Sequence, residues 1–292
     1  PSGARTVRAE VLRYLILGGC KKCCVDESGI DLVGAYVSGA LDLNYATAKH
    51  RINLDKCRFE NAVEAMQLEA PLVSLQGSFL PGLNLQRAKI QGGVFLRNKF
   101  HATGEVSLSG AVIGGQLDCS NGRFDNALGQ ALNAHSVQVT GAVFLKGDFH
   151  ATGKVSLSGA VIGGQLSCIK GRFEKEKGDA LNAQRMRVKA SFFWQGVRVD
   201  TGSINLNAAS VGDLVDDMSS WPLGGRVGLD GFTYERIAGA ATPTDAKTRL
   251  DWLSRGDTWK GVFFPQPYEQ LAKVLGEMGH HSDRRQVLLE KE

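Results

Sequence analysis

The apolar residues of this chain come in short alternating pairs: Val106/Leu108, Leu117/Cys119, Val143/Leu145 and Val155/Leu157. Alternation at a period of two describes strands with one buried face. Glycine corners such as Gly114-Gly115 and Gly163-Gly164 separate the pairs, and the middle of the chain lacks the long i, i+3, i+4 runs that helical repeats need. The pattern also recurs. "HATGEVSLSGAVIGGQLDC" (101–119) returns forty-nine residues later as "HATGKVSLSGAVIGGQLSC" (150–168), with only Glu105/Lys154 and Asp118/Ser167 different. "LNLQRAKIQGGVFLRNKF" (83–100) matches "LNAHSVQVTGAVFLKGDF" (132–149) at the same offset. A reactive site needs its residues once, so near-identity at a fixed offset predicts stacked units.

Each forty-nine-residue block holds two such units, one of each flavour. Weaker copies flank them. Residues 30–48 align with 106–124, which gives Asp42 and Asp118 one outward position and Leu43 and Cys119 one inward position. Residues 204–221 form the last clear copy. Roughly nine or ten coils of a parallel β-helix follow, a mainly β solenoid. A leucine-rich repeat is the alternative, but its Asn signature is missing. "HATG", "DNALGQ", "EKEKGD" and "DTGS" are expected as loops, one per coil.

A solenoid must cover its ends or it polymerises edge to edge. "TVRAEVLRYLIL" sets Val7, Val11, Tyr14 and Leu15 on one helical face and is read as an N-terminal capping helix. Residues 242–255 open with a Thr/Asp N-cap signal and predict another helix. Then Tyr268, Leu271, Ala272 and Leu275 share a face, Gly279 marks a stop, and a further helix starts near Ser282. One such helical pair cannot bury its own face and must dock on something. The expected divisions are 1–28 for the cap, 29–240 for the β-helix and 241–292 for the C-terminal helices.

The five-residue apolar steps (Leu108 to Ile113, Leu157 to Ile162), with Ala111 and Ala160 two residues before the second apolar position, resemble a degenerate pentapeptide repeat. That resemblance implies a right-handed, four-sided β-helix. The segments "VRAEVLRYLILGG", "GAYVSGALDL", "WPLGGRVGLDGFTYERI" and "QPYEQLAKVLGEMGHHSDRRQVLLEKE" together resemble a bacterial family of pentapeptide-repeat-like proteins labelled putative membrane-associated oxidoreductases, with a C-terminal hairpin of tetratricopeptide type. Members often continue into an apolar tail after that hairpin, so the resemblance implies membrane attachment through segments outside this chain. It lends no catalytic motif.

Composition adds boundaries. With 43% hydrophobic and 22% charged residues the chain is of ordinary globular type. A net charge of +4 over 292 residues points to no nucleic-acid partner, and it argues against mimicry of DNA, which needs an acidic surface. The start, "PSGARTVRAEVLRYLILGGCKKCC", carries no small-residue cleavage site, so a cytoplasmic, reducing setting is expected, peripheral to the membrane if the family resemblance holds.

An oxidoreductase needs a seat for its cofactor. No Gly-x-Gly-x-x-Gly joins a strand to a helix and no Walker loop occurs, so no cofactor is expected. Cys20-x-x-Cys23-Cys24 is the weak metal or redox candidate, short of the four ligands of a structural zinc site. Cys119 and Cys168 sit two coils apart, ~9–10 Å at strand spacing, beyond the ~7 Å Cα limit of a disulfide. They read as core. His101 and His150 have the same separation and read as solvated or turn-capping. "DLVDDM" (213–218) is the densest acidic site and reads as solvated surface.

One row demands a role. In "VFL" (94–96), "VFL" (143–145) and "FFW" (192–194) the flanking residues point inward, so Phe95, Phe144 and Phe193 point out, interleaved by Asp118 and Ser167. An apolar column on a solenoid marks either a contact surface or the bed of the C-terminal hairpin. The expected function is a non-catalytic interaction scaffold. It would bind a protein partner, or a second copy, through this row and through the hairpin, including Tyr268. A redox protein using Cys20, Cys23 and Cys24, or a carbohydrate-binding or carbohydrate-cleaving β-helix, are the alternatives.

Overall fold

A computed structural model describes residues 5–19, 29–224, 226–256 and 263–291. One coil shows the plan of the whole. The chain passes through His101–Ala102, Val106–Ser107, Val112–Ile113 and Leu117–Asp118, then Arg123 pairs with His101 one level up. These segments define four faces, numbered here in that order, and each strand pairs in parallel with the coils above and below it. The stack makes a β-solenoid of about nine turns, with helices at its two ends. Val106, Leu132 and Val155 share one register, which places Leu108 and Leu157 on either side of Ala134 in one inward column.

The corner between the second and third faces explains much of the turn chemistry. It carries one left-handed residue in every coil: Tyr45, Gln67, Arg87, Gly110, Ser136, Gly159, Arg185, Ala208 and Gly231, with φ between +52° and +71°. At every non-glycine corner but Gln67, an Asx turn from three residues earlier braces the strained residue. Asn84, Asn133, Asn182 and Asn205 each accept a backbone N–H two residues on.

Why the repeat runs in doublets is visible in the core. Phe100, Phe124, Phe149 and Phe173 stack with ring centroids 5.2–5.3 Å apart. Ala102 pairs with Phe124 and Ala151 with Phe173, so successive rings enter the stack from alternate sides of the strand. A coil that brings its ring from before the strand ends in Ala (Phe100-His101-Ala102). A coil that brings it from within the strand begins with Gly (Gly122-Arg123-Phe124). A Cβ on Gly122 would stand 2.9 Å from the Phe124 ring and 2.7 Å from the Leu96 carbonyl. Two coils therefore make one period. The stack continues through Trp194 and Trp221 to Trp252 at 5.5–5.6 Å.

Loops alternate too, which corrects the expectation of one per coil. The coil starting at His101 takes twenty-two residues to Arg123, and the next takes twenty-seven to His150. Its extra residues lie between Asp125 and Leu132, where the register of the long strand Arg123–Asn133 shifts, between the first and second faces. The second insertion, 175–179, occupies the same corner two coils on, and Lys175 Nζ donates to the Ala127 carbonyl at 2.7 Å. "HATG" is no loop. His101–Ala102 and His150–Ser156 are strands, and Ala102 and Ala151 are fully buried.

The ends follow from amphipathic helices. At the N-terminus Thr6–Arg8 adds a strand to Tyr36–Ser38, and helix α1 (Ala9–Ile16) follows. It buries Ala9, Leu12 and Ile16, while Val11 and Tyr14 are exposed; the expected Val7/Val11/Tyr14/Leu15 face is corrected accordingly. The i, i+3, i+7 set is the narrower stripe, and the strand before it fixes which stripe faces the first coil. At the C-terminus, α2 (Ala246–Ser254) is capped by the Asp245 side chain, and α3 (Gln266–Glu277) and α4 (His281–Lys291) form the hairpin. Tyr268, Leu271, Ala272 and Leu275 are buried as a face. Gln266 accepts from the Gly231 N–H, and Gln270 donates to the Tyr234 carbonyl at 2.7 Å, so α3 docks on the last coil. Among the described residues no helix is long and apolar enough to cross a membrane.

Candidate binding surface

The fourth face carries the aromatic row. The outward register runs Ser74, Phe95, Asp118, Phe144, Ser167, Phe193 and Val215. Phe95, Phe144 and Phe193 therefore stand two coils apart in one column, each half-buried. Strand alternation puts them outward because Val94, Leu96, Val143, Leu145, Phe192 and Trp194 are the buried flanks.

The column is not uniform along its length. In its N-terminal half, polar side chains knit over the surface. Ser74 Oγ donates to Asp55 at 2.6 Å, Arg97 Nε donates to Gln76 at 2.8 Å, and Arg97 Nη1 donates to Asp118 at 2.8 Å. Ser120 Oγ donates to the other Asp118 oxygen at 2.6 Å. The Arg97 guanidinium also lies 4.8 Å from the Phe95 ring centre, so Phe95 sits beneath its own neighbours. Asp118 is only 5% exposed, an outward acid held under an arginine. In the C-terminal half the neighbours are Ile169, Ser167 and Gln195 instead, with Lys146 Nζ 4.5 Å from the Phe144 ring centre. Phe144, Ile169 and Phe193 form a part-buried apolar surface there, with Lys146 over the Phe144 ring as Arg97 is over Phe95.

The bed for the C-terminal hairpin lies elsewhere. The hydrogen bonds from α3 run to Gly231, Phe232 and Tyr234 of the final coil. Tyr268, expected as a binding residue, is 5% exposed with the Phe263 ring 5.7 Å away, so it packs the cap rather than a free surface.

Other candidates take different places from those the sequence suggested. Asp42 bridges Glu64 on the second face, so it shares no position with Asp118, and Leu43 follows it there away from Cys119. The offset of two faces arose because every face repeats the same apolar alternation. The acidic stretch 213–218 is not simply solvated. Asp216 is fully buried, accepting from Arg249 of α2 and from the Trp221 indole. Asp217 caps the turn Met218–Ser220, where partial burial raises its carboxyl but hydrogen bonds from Ser219, Gly196 and Ser220 hold it below the usual range.

His101 and His150 are neither turn caps nor freely solvated. Each is an outward strand residue paired with a carboxylate of the next coil, Asp125 at 2.9 Å and Glu174 at 3.3 Å. Burial raises the Asp125 carboxyl, but Arg123 and His101 outweigh it and leave it below the ordinary value.

Cys119 and Cys168 are fully buried and Cys57 nearly so. Desolvation pushes all three thiols up, the opposite of what a nucleophile or metal ligand needs. Cys20, Cys23 and Cys24 lie outside the described residues. Among the described residues no group of three His, Cys, Asp or Glu side chains is placed to hold a metal ion. No protein family, curated protein or solved structure matches the chain, and the β-solenoid fold is what the geometry establishes.

Proposed function

We propose that the chain is a non-catalytic binding scaffold that holds a protein partner on the C-terminal half of the fourth face. The observation that carries this reading is the patch of Phe144, Ile169 and Phe193, part-buried on strands locked in register on both sides. Aromatic anchors on a pre-ordered surface lose little conformational freedom on binding, which is how a small patch yields useful affinity. Lys146 and Lys170 flank it, so the partner's rim is acidic. Peripheral membrane attachment and a cytoplasmic setting belong to the same reading, with the anchor outside this chain.

The test compares wild type with Phe144→Asp and Phe193→Asp, using hydroxyl-radical footprinting of the complex captured from host extract. Protection of residues 143–146 and 167–170 in wild type, with binding lost in both variants at unchanged melting temperature, supports the reading. Protection confined to other faces refutes it.

A further inference from the structure

We propose that the first face is a self-association surface, on which a second copy of this chain docks about a two-fold axis parallel to the solenoid axis. The outward residues of this face form two columns, two positions apart along each strand. One column holds Arg58, His101, Arg123, His150, Arg172 and Arg198, aligned coil on coil through Phe79. The other holds Glu60, Thr103, Asp125, Thr152, Glu174 and Asp200. Arginine is always followed by an acid, and histidine by threonine.

That order is self-complementary under one symmetry and repulsive under the other. A two-fold axis along the solenoid lays the facing strands antiparallel and sets the first column of one copy over the second column of its mate, same coil on same coil. Arg58 then faces Glu60 of the second copy, Arg123 faces Asp125, Arg172 faces Glu174 and Arg198 faces Asp200. His101 and His150 face Thr103 and Thr152, where no like charge opposes them. A two-fold axis across the solenoid lays the first column on itself, setting arginines and histidines against one another wherever Phe79 does not fall. Columns about 6.6 Å apart on a rung spacing of about 4.8 Å give each pair its own lane.

The arginines are the more accessible partners. Arg123 and Arg172 remain 55% and 45% exposed and Asp200 54%, while Asp125 and Glu174 keep 25% and 23%. Their intrachain pairs (Arg123 Nε with Asp125 at 2.6 Å, Arg172 Nη2 with Asp200 at 2.9 Å) hold the side chains along the face, so docking orders little that is not already ordered. Seven coils make a strip about 30 Å long, at the small end of specific interfaces, so the association is weak and sensitive to salt.

Sedimentation equilibrium of the full chain at low and high ionic strength, with two triple variants, tests this. Arg123→Glu/Arg172→Glu/Arg198→Glu makes the face acidic, and Asp125→Lys/Glu174→Lys/Asp200→Lys makes it basic. Wild type is expected to dimerise at low salt, with association weakened about tenfold or more at high salt. Each folded triple variant alone is expected to be monomeric, and their equimolar mixture to recover the dimer. Phe144→Asp is expected to dimerise like wild type, which separates this face from the proposed partner surface. A wild type that stays monomeric at low salt, a dimer indifferent to salt, or a mixture of folded variants that stays monomeric overturns the proposal. The wild-type salt series decides it even if a triple variant does not fold.

Discussion

Arg249 of α2 and Asp216 of the fourth face form a two-bond ion pair in which neither side chain reaches solvent. Nη1 donates to Oδ2 at 2.9 Å and Nη2 to Oδ1 at 2.7 Å. Arg249 Nε donates to the Pro243 carbonyl, and its guanidinium lies 5.2 Å from the Trp252 ring centre. The pair fastens the C-terminal helices to the solenoid. Removing either partner strands a buried charge, so Arg249→Ala or Asp216→Ala is expected to cost about 3–5 kcal/mol. The double variant should lose less than the two singles combined, because no unpaired charge remains. Urea melts of the four proteins measure this.

Phe149 lies between Phe124 and Phe173 in the core stack, each 5.3 Å away by centroid. Phe149→Ala is expected to cost about 3–5 kcal/mol by cavity formation. Gly122→Ala, which drives a methyl against the Phe124 ring and the Leu96 carbonyl, is expected to cost about 1–3 kcal/mol. Thermal denaturation followed by circular dichroism checks both.

Tyr234 is buried, and its hydroxyl has no hydrogen-bond partner. Tyr234→Phe keeps the ring contacts and removes the unpaired group, so the variant should be as stable as wild type or more so, by up to about 1 kcal/mol. A fall of several kcal/mol in its urea stability would show the hydroxyl to be engaged.

Stability should decline on the alkaline side. Cys119 and Cys168 ordinarily ionise near 9.0, and burial raises both thiols in the fold. Below pH 9 both states keep these protons and no stability is lost. Above it the unfolded chain releases them while the native state does not, at up to about 1.4 kcal/mol per thiol per pH unit. The same thiols should resist aromatic disulfide reagents at pH 8 until the protein unfolds. Urea midpoints across pH 7–10.5 test the slope, and Cys168→Ala should flatten it.

At the second corner, Ala208 holds φ +57° and Gly159 +67° in equivalent positions of two coils. Ala208→Gly is expected to gain up to about 1 kcal/mol by relieving strain, and Gly159→Ala to lose a similar amount. Melting temperatures of the pair measure the cost of that corner directly.

The winding was legible because alternation and near-identity survive without knowing which coil touches which. Val106/Leu108 and Val155/Leu157 announced a shared inward column, and "VFL", "VFL" and "FFW" announced the outward phenylalanines. What the letters hid was phase. All four faces repeat one apolar rhythm, so Asp42 could be laid on Asp118 although half a coil separates their positions. Partnership across distance was hidden as well. Nothing near 216 in sequence signals Arg249, and nothing near Arg97 signals that it covers Asp118 of the next coil. In α1, Val11 and Tyr14 made as good a helical stripe as Ala9, Leu12 and Ile16 until the strand at Thr6–Arg8 set the rotation.

The alternation of rings in the core makes growth of this rod discrete. Between Phe100 and Phe173, deleting one turn would set two rings against each other on one side of the strand and two small residues on the other, jamming the first side and leaving a hole in the second. Removing or copying forty-nine residues keeps the phase. Within this stretch a gene duplicating blocks keeps the packing only in even steps, and an engineer who wants a longer ruler should paste the pair.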